Sequence, residues 1–237
     1  KNKNEKGKYM IKKIIATLII CSFVLSGTLK GNIKYEGKVP NKKSLKMDSD
    51  PVCGNAHKGN VQSQSFVVDS NNNLQNVLIW IKDVNYSGPI PDNNKIIDQV
   101  GCVYKPRILG IMKGQELLIK NSDATLHNVH SYSKNNTSFN FAMPKVVKEK
   151  KTIFTKAEDP FHIKCDVHPW MKSWVAVFDH PYYAITDENG DYMIENIPEG
   201  EYTVVAFQEK FKLKGIIEKK VIINNDKASQ LNFKFVR

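Results

Sequence analysis

Along the chain, apolar positions alternate with polar ones or gather in short runs, and each run stops at Gly, Pro, Asn or Asp. Beyond residue 26 no stretch sustains the i, i+3, i+4, i+7 rhythm of an amphipathic helix, so the pattern predicts a chain built mostly of strands. The predicted strands include Thr28–Tyr35, Ser65–Val68, Val77–Ile81, Ile108–Ile111, Glu116–Asn121, Leu126–Tyr132, Thr152–Thr155, Pro160–Cys165 and Trp174–Phe178. After them come Tyr182–Thr186, Asp191–Ile194, Glu201–Phe207, Ile216–Ile223 and Gln230–Val236. Turn-rich segments such as Asp69–Asn73 and Ser87–Asn94 separate them. This is too many strands for one small sandwich, and the expected fold class is all-β with two modules.

A boundary is expected at Asp179-His180-Pro181, dividing residues 27–180 from a smaller module over 181–237. In that module Asp187-Glu188-Asn189-Gly190 and Ile197-Pro198-Glu199-Gly200 read as tight turns between short strands. Residues 181–237 are few for an independent β-sandwich, which usually has about 100 residues and seven strands, so another segment must pair with them. The stretch 27–40 is a candidate for that role and equally a candidate strand of the first module.

Lys12 and Lys13 precede an apolar run from Ile14 to Leu25, followed by small Ser26, which predicts a secretory signal over residues 1–26. About 12 apolar residues fall short of the roughly 20 that span a bilayer. The chain carries 35 Lys+Arg against 24 Asp+Glu, a formal +11, and loss of the signal's six lysines and Glu5 would leave +6. Only Arg107 and Arg237 are arginines, so the planar guanidinium fork that favours phosphate and base recognition is nearly missing. Nucleic acid is therefore a poor expected partner, and an acidic protein a better one.

Cys21 would leave with the signal, and Cys53, Cys102 and Cys165 would remain where disulfides persist. Three is an odd number, so one thiol is either free or bound to something else. The run Cys165-Asp166-Val167-His168-Pro169-Trp170-Met171 suggests what. Thiolate, imidazole and thioether belong to the donor set of a blue-copper centre, where two imidazoles and a thiolate lie in a plane and a distant Met sulfur tunes the potential. A second imidazole is available upstream of Cys165, at His127, 38 residues away, or at His130. These two point to opposite faces of a regular strand, so only one can face the metal. In the strand before Cys165, alternation puts Phe161, Ile163 and Cys165 on one face and His162 on the other, at the surface. His57 and His180 stand in turn-like contexts without partners at ligand spacing and read as structural or exposed. Zinc also takes Cys and His at such spacings, but it gives Met171 no role. A cysteine that is half of a disulfide, with no metal, is the remaining alternative.

The run His127-Asn128-Val129-His130 with Cys165-x2-His168-x2-Met171, including Pro169 and the aromatic Trp170, resembles the copper-binding sequences of plastocyanin and especially amicyanin. The resemblance covers roughly residues 100–180. It implies a cupredoxin, an exported Greek-key β-sandwich that holds one type 1 copper and carries electrons. It further implies His127 and His168 as imidazole ligands, Cys165 as thiolate, Met171 as axial ligand, and Asn128 as the amide bracing the two ligand loops. A redox partner would then dock at Pro169 and Trp170, where the His168 ring edge is expected to reach the surface. The whole chain also resembles exported bacterial methylamine-utilisation or plastocyanin-like proteins, through Asp50-Pro51-Val52-Cys53 and Gly101-Cys102-Val103-Tyr104-Lys105-Pro106. In them the copper domain precedes a module similar to the carboxypeptidase regulatory-like β-sandwich, which residues 184–202 fit. Small cupredoxins lack the segment from about 41 to 100, and its role is not implied.

If Cys165 binds copper, Cys53 and Cys102 are left as a disulfide pair, and closing their 49-residue separation would contribute roughly 4 kcal/mol on the loop-entropy model. The expected function is single-electron transfer outside the cytoplasm, in the periplasm or on the outer cell surface. No enzyme activity is expected: phosphate loops, nucleophile elbows and a second histidine cluster are missing. A cell-envelope binding module on the same fold, and copper storage, are the alternatives.

Overall fold

The computed structural model describes residues 26–41, 43–57, 61–225 and 227–237, so the expected signal and Cys21 lie outside the described residues. Strands dominate, joined by a short α-helix Pro51–Ala56 and a 3-10 turn Glu209–Lys214. The all-β expectation holds. None of the described helices is long and apolar enough to cross a membrane.

Two sheets face each other in the first half. One has five strands in the order Asn140–Met143, His127–Ser131, Glu158–Lys164, Lys172–Phe178 and Ile108–Met112; the other runs Glu149–Ile153, Glu116–Asn121, Lys95–Gln99, Tyr104–Lys105. Their inner positions alternate as the pleat requires. Ile97, Leu117 and Ile119 meet Ile111, Val129, Ile163, Val175 and Val177 in a closed apolar core. Strands Lys95–Gln99 and Asn140–Met143 are ones the hydrophobic pattern did not announce; each is short and has only one or two inward apolar residues.

A second core forms between another pair of sheets. Ser26–Glu36 pairs antiparallel with Asp191–Pro198 and parallel with Ser229–Gln230 and Phe233–Val236. Opposite lie Tyr183–Ile185, Leu78–Lys82, Gly200–Phe207 and Ile216–Ile223. The expected boundary at residue 180 is thus crossed by two segments, Ser26–Glu36 and Leu78–Lys82, whose apolar side chains Leu29, Ile33, Ile79 and Ile81 join Ile194, Val204 and Phe235. The run Leu78-Ile79-Trp80-Ile81 is apolar on both faces for a reason. Ile79 and Ile81 face the second core, while Leu78 and Trp80, with Val205 and Phe207, pack on Ile108, Ala176 and Phe178 of the first sandwich.

The described residues between Pro40 and Phe66 lie outside both sandwiches. Their one helix starts at an Asp50 N-cap with Pro51 in the first turn, the preferred chemistry for a helix start. This segment packs Met47 and Cys53 onto the first core at the end where the Cys165–Met171 loop lies.

Candidate metal centre

The loop Cys165–Met171 joins the antiparallel strands Glu158–Lys164 and Lys172–Phe178. It is closed by its own backbone: Cys165 N donates to Met171 O (3.3 Å) and Met171 N to His168 O (2.9 Å). This turn brings the Cys165 and His168 side chains to the same point, with Sγ 3.7 Å from Nδ1. The neighbouring strand His127–Ser131 adds His127, whose Nδ1 lies 2.9 Å from His168 Nδ1. One ligand atom from each of His127, Cys165 and His168 falls within a 4.8 Å cluster. All three are buried, His127 at 0%, Cys165 at 1% and His168 at 2% exposure. Met171 is buried in the same core cluster as Cys165.

Asn128 ties the strand to the loop. Its carbonyl oxygen accepts from the amides of Asp166 and Val167, its NH2 donates to Asn140 Oδ1 (2.7 Å), and its backbone N–H donates to Cys165 Sγ (3.4 Å). Tyr104 Oη donates to Asn128 O at 2.7 Å, and burial raises the pKa of that phenol.

The pleat separates the other histidines from this point. His130 faces outward, with Nδ1 2.9 Å from Asp166 Oδ2. His162 is also on the outer side but is not a free surface residue. It sits half-buried between Tyr132, stacked at 4.4 Å, and Trp174, edge-on at 5.5 Å, and its Nε2 has no hydrogen-bond partner. Burial, then the charges of Lys172 and Lys164, push its pKa down to about 4. His57 contacts Gly101 O (2.6 Å). His180 is buried, not exposed, and its Nδ1 accepts from Tyr182 N, which makes it structural.

Cys53 and Cys102 form a disulfide, and Cys165 is the free cysteine among the described residues. The disulfide has an unexpected neighbour: Cys53 Sγ lies 3.7 Å from His168 Nε2. The expectation that the His168 edge reaches the surface fails here. Asp50 and the disulfide cover it, with Asp50 Oδ2 3.0 Å from Nε2. Pro169 is exposed, while Trp170 is half-buried, its Nε1 donating to Cys102 O (2.9 Å) and its ring 5.1 Å from that of His168.

Two carboxylates that the sequence reading missed stand at the centre. Asp50 is one; Asp123, with Oδ2 2.8 Å from His127 Nε2, is the other. The Asp50-Pro51 helix start could have drawn attention to the first, but nothing in the local pattern links either to a histidine. Burial tends to raise the Asp50 pKa, yet bonds from Cys53 N, His168 and Thr125 hold it down to about 2. Burial disfavours charge on His127, but Asp123 and the Cys165 sulfur outweigh it and raise its pKa to about 9. The Cys165 thiol is likewise pushed up by burial and, more strongly, down by His127 and the amides of Asn128, His168 and Val167. The two shifts have a common cause, the attraction between the Cys165 sulfur and the His127 ring.

No protein-family model matches the chain, and no curated protein does. Among solved structures, it is similar to a copper-containing nitrite reductase from Thermus scotoductus at 19% identity and a TM-score of 0.34, covering 41% of this chain and 24% of that one. It is also similar to an oxidised proline-to-glycine mutant of amicyanin, at 23% identity and a TM-score of 0.33, over 37% of this chain and 84% of that one. A purple cupredoxin from Nitrosopumilus maritimus is similar at 23% identity and a TM-score of 0.30, over 35% of this chain and 99% of that one. Likeness at this level carries no argument about what the chain does.

Proposed function

We propose that this chain is a copper protein that carries single electrons between redox partners. The observation that supports this reading is the buried meeting of one thiolate and two imidazole nitrogens, from His127, Cys165 and His168, at the end of a β-sandwich. The donors fit copper: a soft thiolate suits Cu(I) and imidazoles suit Cu(II), and Met171 in the same core would serve as the distant fourth sulfur. Bound copper supplies the one-electron Cu(I)/Cu(II) couple.

The chain's own residues do the rest. Asn128 and the backbone bonds across the Cys165–Met171 loop fix the donors, so that they need not move when the charge at the centre changes. Near-complete burial keeps water and small substrates from the donors, which suits a carrier more than an enzyme. The Cys53–Cys102 disulfide suits an oxidising compartment, in keeping with export to the periplasm or outer surface. A redox partner, acidic to match the lysine-rich chain, would dock at exposed Pro169 beside Trp170.

Reconstitution of the purified chain with Cu(II) tests this. One copper per chain with an intense visible thiolate-to-copper band is the expected result, and a colourless protein without stoichiometric copper overturns it.

A further inference from the structure

Both imidazoles that face each other through Nδ1 have their opposite edge taken by a carboxylate. His168 Nε2 is 3.0 Å from Asp50 Oδ2, and His127 Nε2 is 2.8 Å from Asp123 Oδ2. Neither acid comes from the strands or the loop that present the three donors. Each is fixed in turn by donors of its own. Asp50 accepts from Val52 N (2.7 Å), Cys53 N (3.2 Å) and Thr125 Oγ1 (3.0 Å). Asp123 accepts from Gly101 N (2.7 Å) and Cys102 N (2.8 Å). Gly101 and Cys102 both have positive φ, 64° and 54°, and this left-handed pair turns two consecutive amides onto one carboxylate. The Cys53–Cys102 bond then links the two arrangements, because Cys53 N holds Asp50 and Cys102 N holds Asp123.

A carboxylate on Nε2 keeps the proton there and leaves the Nδ1 lone pair pointing inward. It also raises the electron density of the ring, which helps a metal of higher charge more than one of lower charge. We propose that Asp50 and Asp123 are positioning residues of the centre, each setting one imidazole with Nδ1 inward and favouring Cu(II) over Cu(I). The disulfide-stapled segment around Asp50 thereby does at His168 what Asp123 does at His127. This rests on the copper reading above.

The test compares the full chain with Asp50→Asn and Asp123→Asn, measuring Cu(II) and Cu(I) affinity by competition together with the reduction potential. Loss of such a partner costs about 10- to 100-fold in metal affinity. Cu(II) affinity should fall by that factor and Cu(I) affinity by less, and the potential should rise by about 59 mV for each tenfold difference between the two losses. Thr125→Ala, which removes one bond to Asp50 and keeps both acids, should shift the potential the same way by less. Folded variants whose Cu(II)-to-Cu(I) affinity ratio matches that of the unaltered chain would overturn the proposal. A readout without copper separates it from the copper reading. Ring 15N spectra of the metal-free chain should show both Nε2 atoms protonated and slowly exchanging, with the His168 signal changed in Asp50→Asn and the His127 signal in Asp123→Asn. A bare Nε2 on either ring overturns the proposal even if the chain binds copper, whereas failure to bind copper with both Nε2–H signals present overturns the copper reading and the Cu(II) preference with it, and supports the setting of both rings by Asp50 and Asp123.

Discussion

In the second sandwich most buried side chains are aliphatic and aromatic, among them Leu29, Ile33, Ile79, Ile81, Val204 and Phe235, and buried polar ones there, Thr186 and Gln208, donate only to backbone carbonyls, Leu74 O and Ser65 O. The first sandwich has a similar apolar middle but also buries His127, Asn128, His168, Gln99 and Asn121. Burying such groups is costly unless they are hydrogen-bonded, and each makes at least one bond: Gln99 Nε2 to Lys120 O, Asn121 Nδ2 to Met143 O, Asn128 to the loop, and each histidine to an acid, with Gln99 Oε1 left without a partner. One interior uses its few buried polar groups to hold backbone. The other gathers histidines and carboxylates around one point, as the proposed centre requires. The difference teaches where a substitution will be felt as lost stability and where as lost chemistry.

The sharpest way to break this contrast is Cys165→Ser. It should remove the visible band and tight copper binding altogether while the chain stays folded, as spectra and melting will show; a retained band would sink the assignment. His127→Ala should come next, abolishing or greatly weakening copper binding, whereas His130→Ala and His162→Ala keep full stoichiometry because both side chains lie on the outer face. Equal copper loss in His130→Ala would refute the choice of ligand.

Stability changes should show the reverse preference. Phe235→Ala, in the second core, should cost about 3–5 kcal/mol in denaturant unfolding and leave the copper spectrum of the folded protein unchanged. Replacing both Cys53 and Cys102 by Ser should cost roughly 4 kcal/mol for the 49-residue loop. Unlike Phe235→Ala it should also disturb the centre, because the disulfide touches His168. If the two variants perturb the spectrum alike, the division of labour between the sandwiches is wrong.

The smallest expected effect belongs to His162, with a folded pKa of about 4 against an ordinary 6.5. The unfolded chain binds the extra proton first, so this residue contributes stability above about pH 6.5 that is lost as the pH falls toward 4. Partial exposure moderates the loss. His162→Phe should flatten that part of the stability–pH curve, and unfolding at pH 7 and pH 5 checks it; a variant curve parallel to the parent's would refute the buried-histidine account.

Alternation along Leu126–Tyr132 and Pro160–Cys165 was enough to foresee strands there and to put Ile163 and Cys165 on one face, since side-chain direction along a strand has a period of two. The spacing of Cys165, His168 and Met171 was likewise legible, because a short loop confines its residues to one neighbourhood. The pairing of Cys53 with Cys102 could be reached by counting once Cys165 was set aside. Tertiary structure alone decided the rest. Leu78–Lys82 looks like any apolar run, and only its place between Tyr183–Ile185 and Gly200–Phe207 shows that it serves the second sandwich. Whether Ser26–Glu36 pairs within the first half or with the C-terminal strands is invisible to a pattern that records burial but not the partner. Asp50 reaches His168 across 118 positions. Contacts of that range come from chain topology, and they leave no periodicity, composition or spacing in the residues that make them.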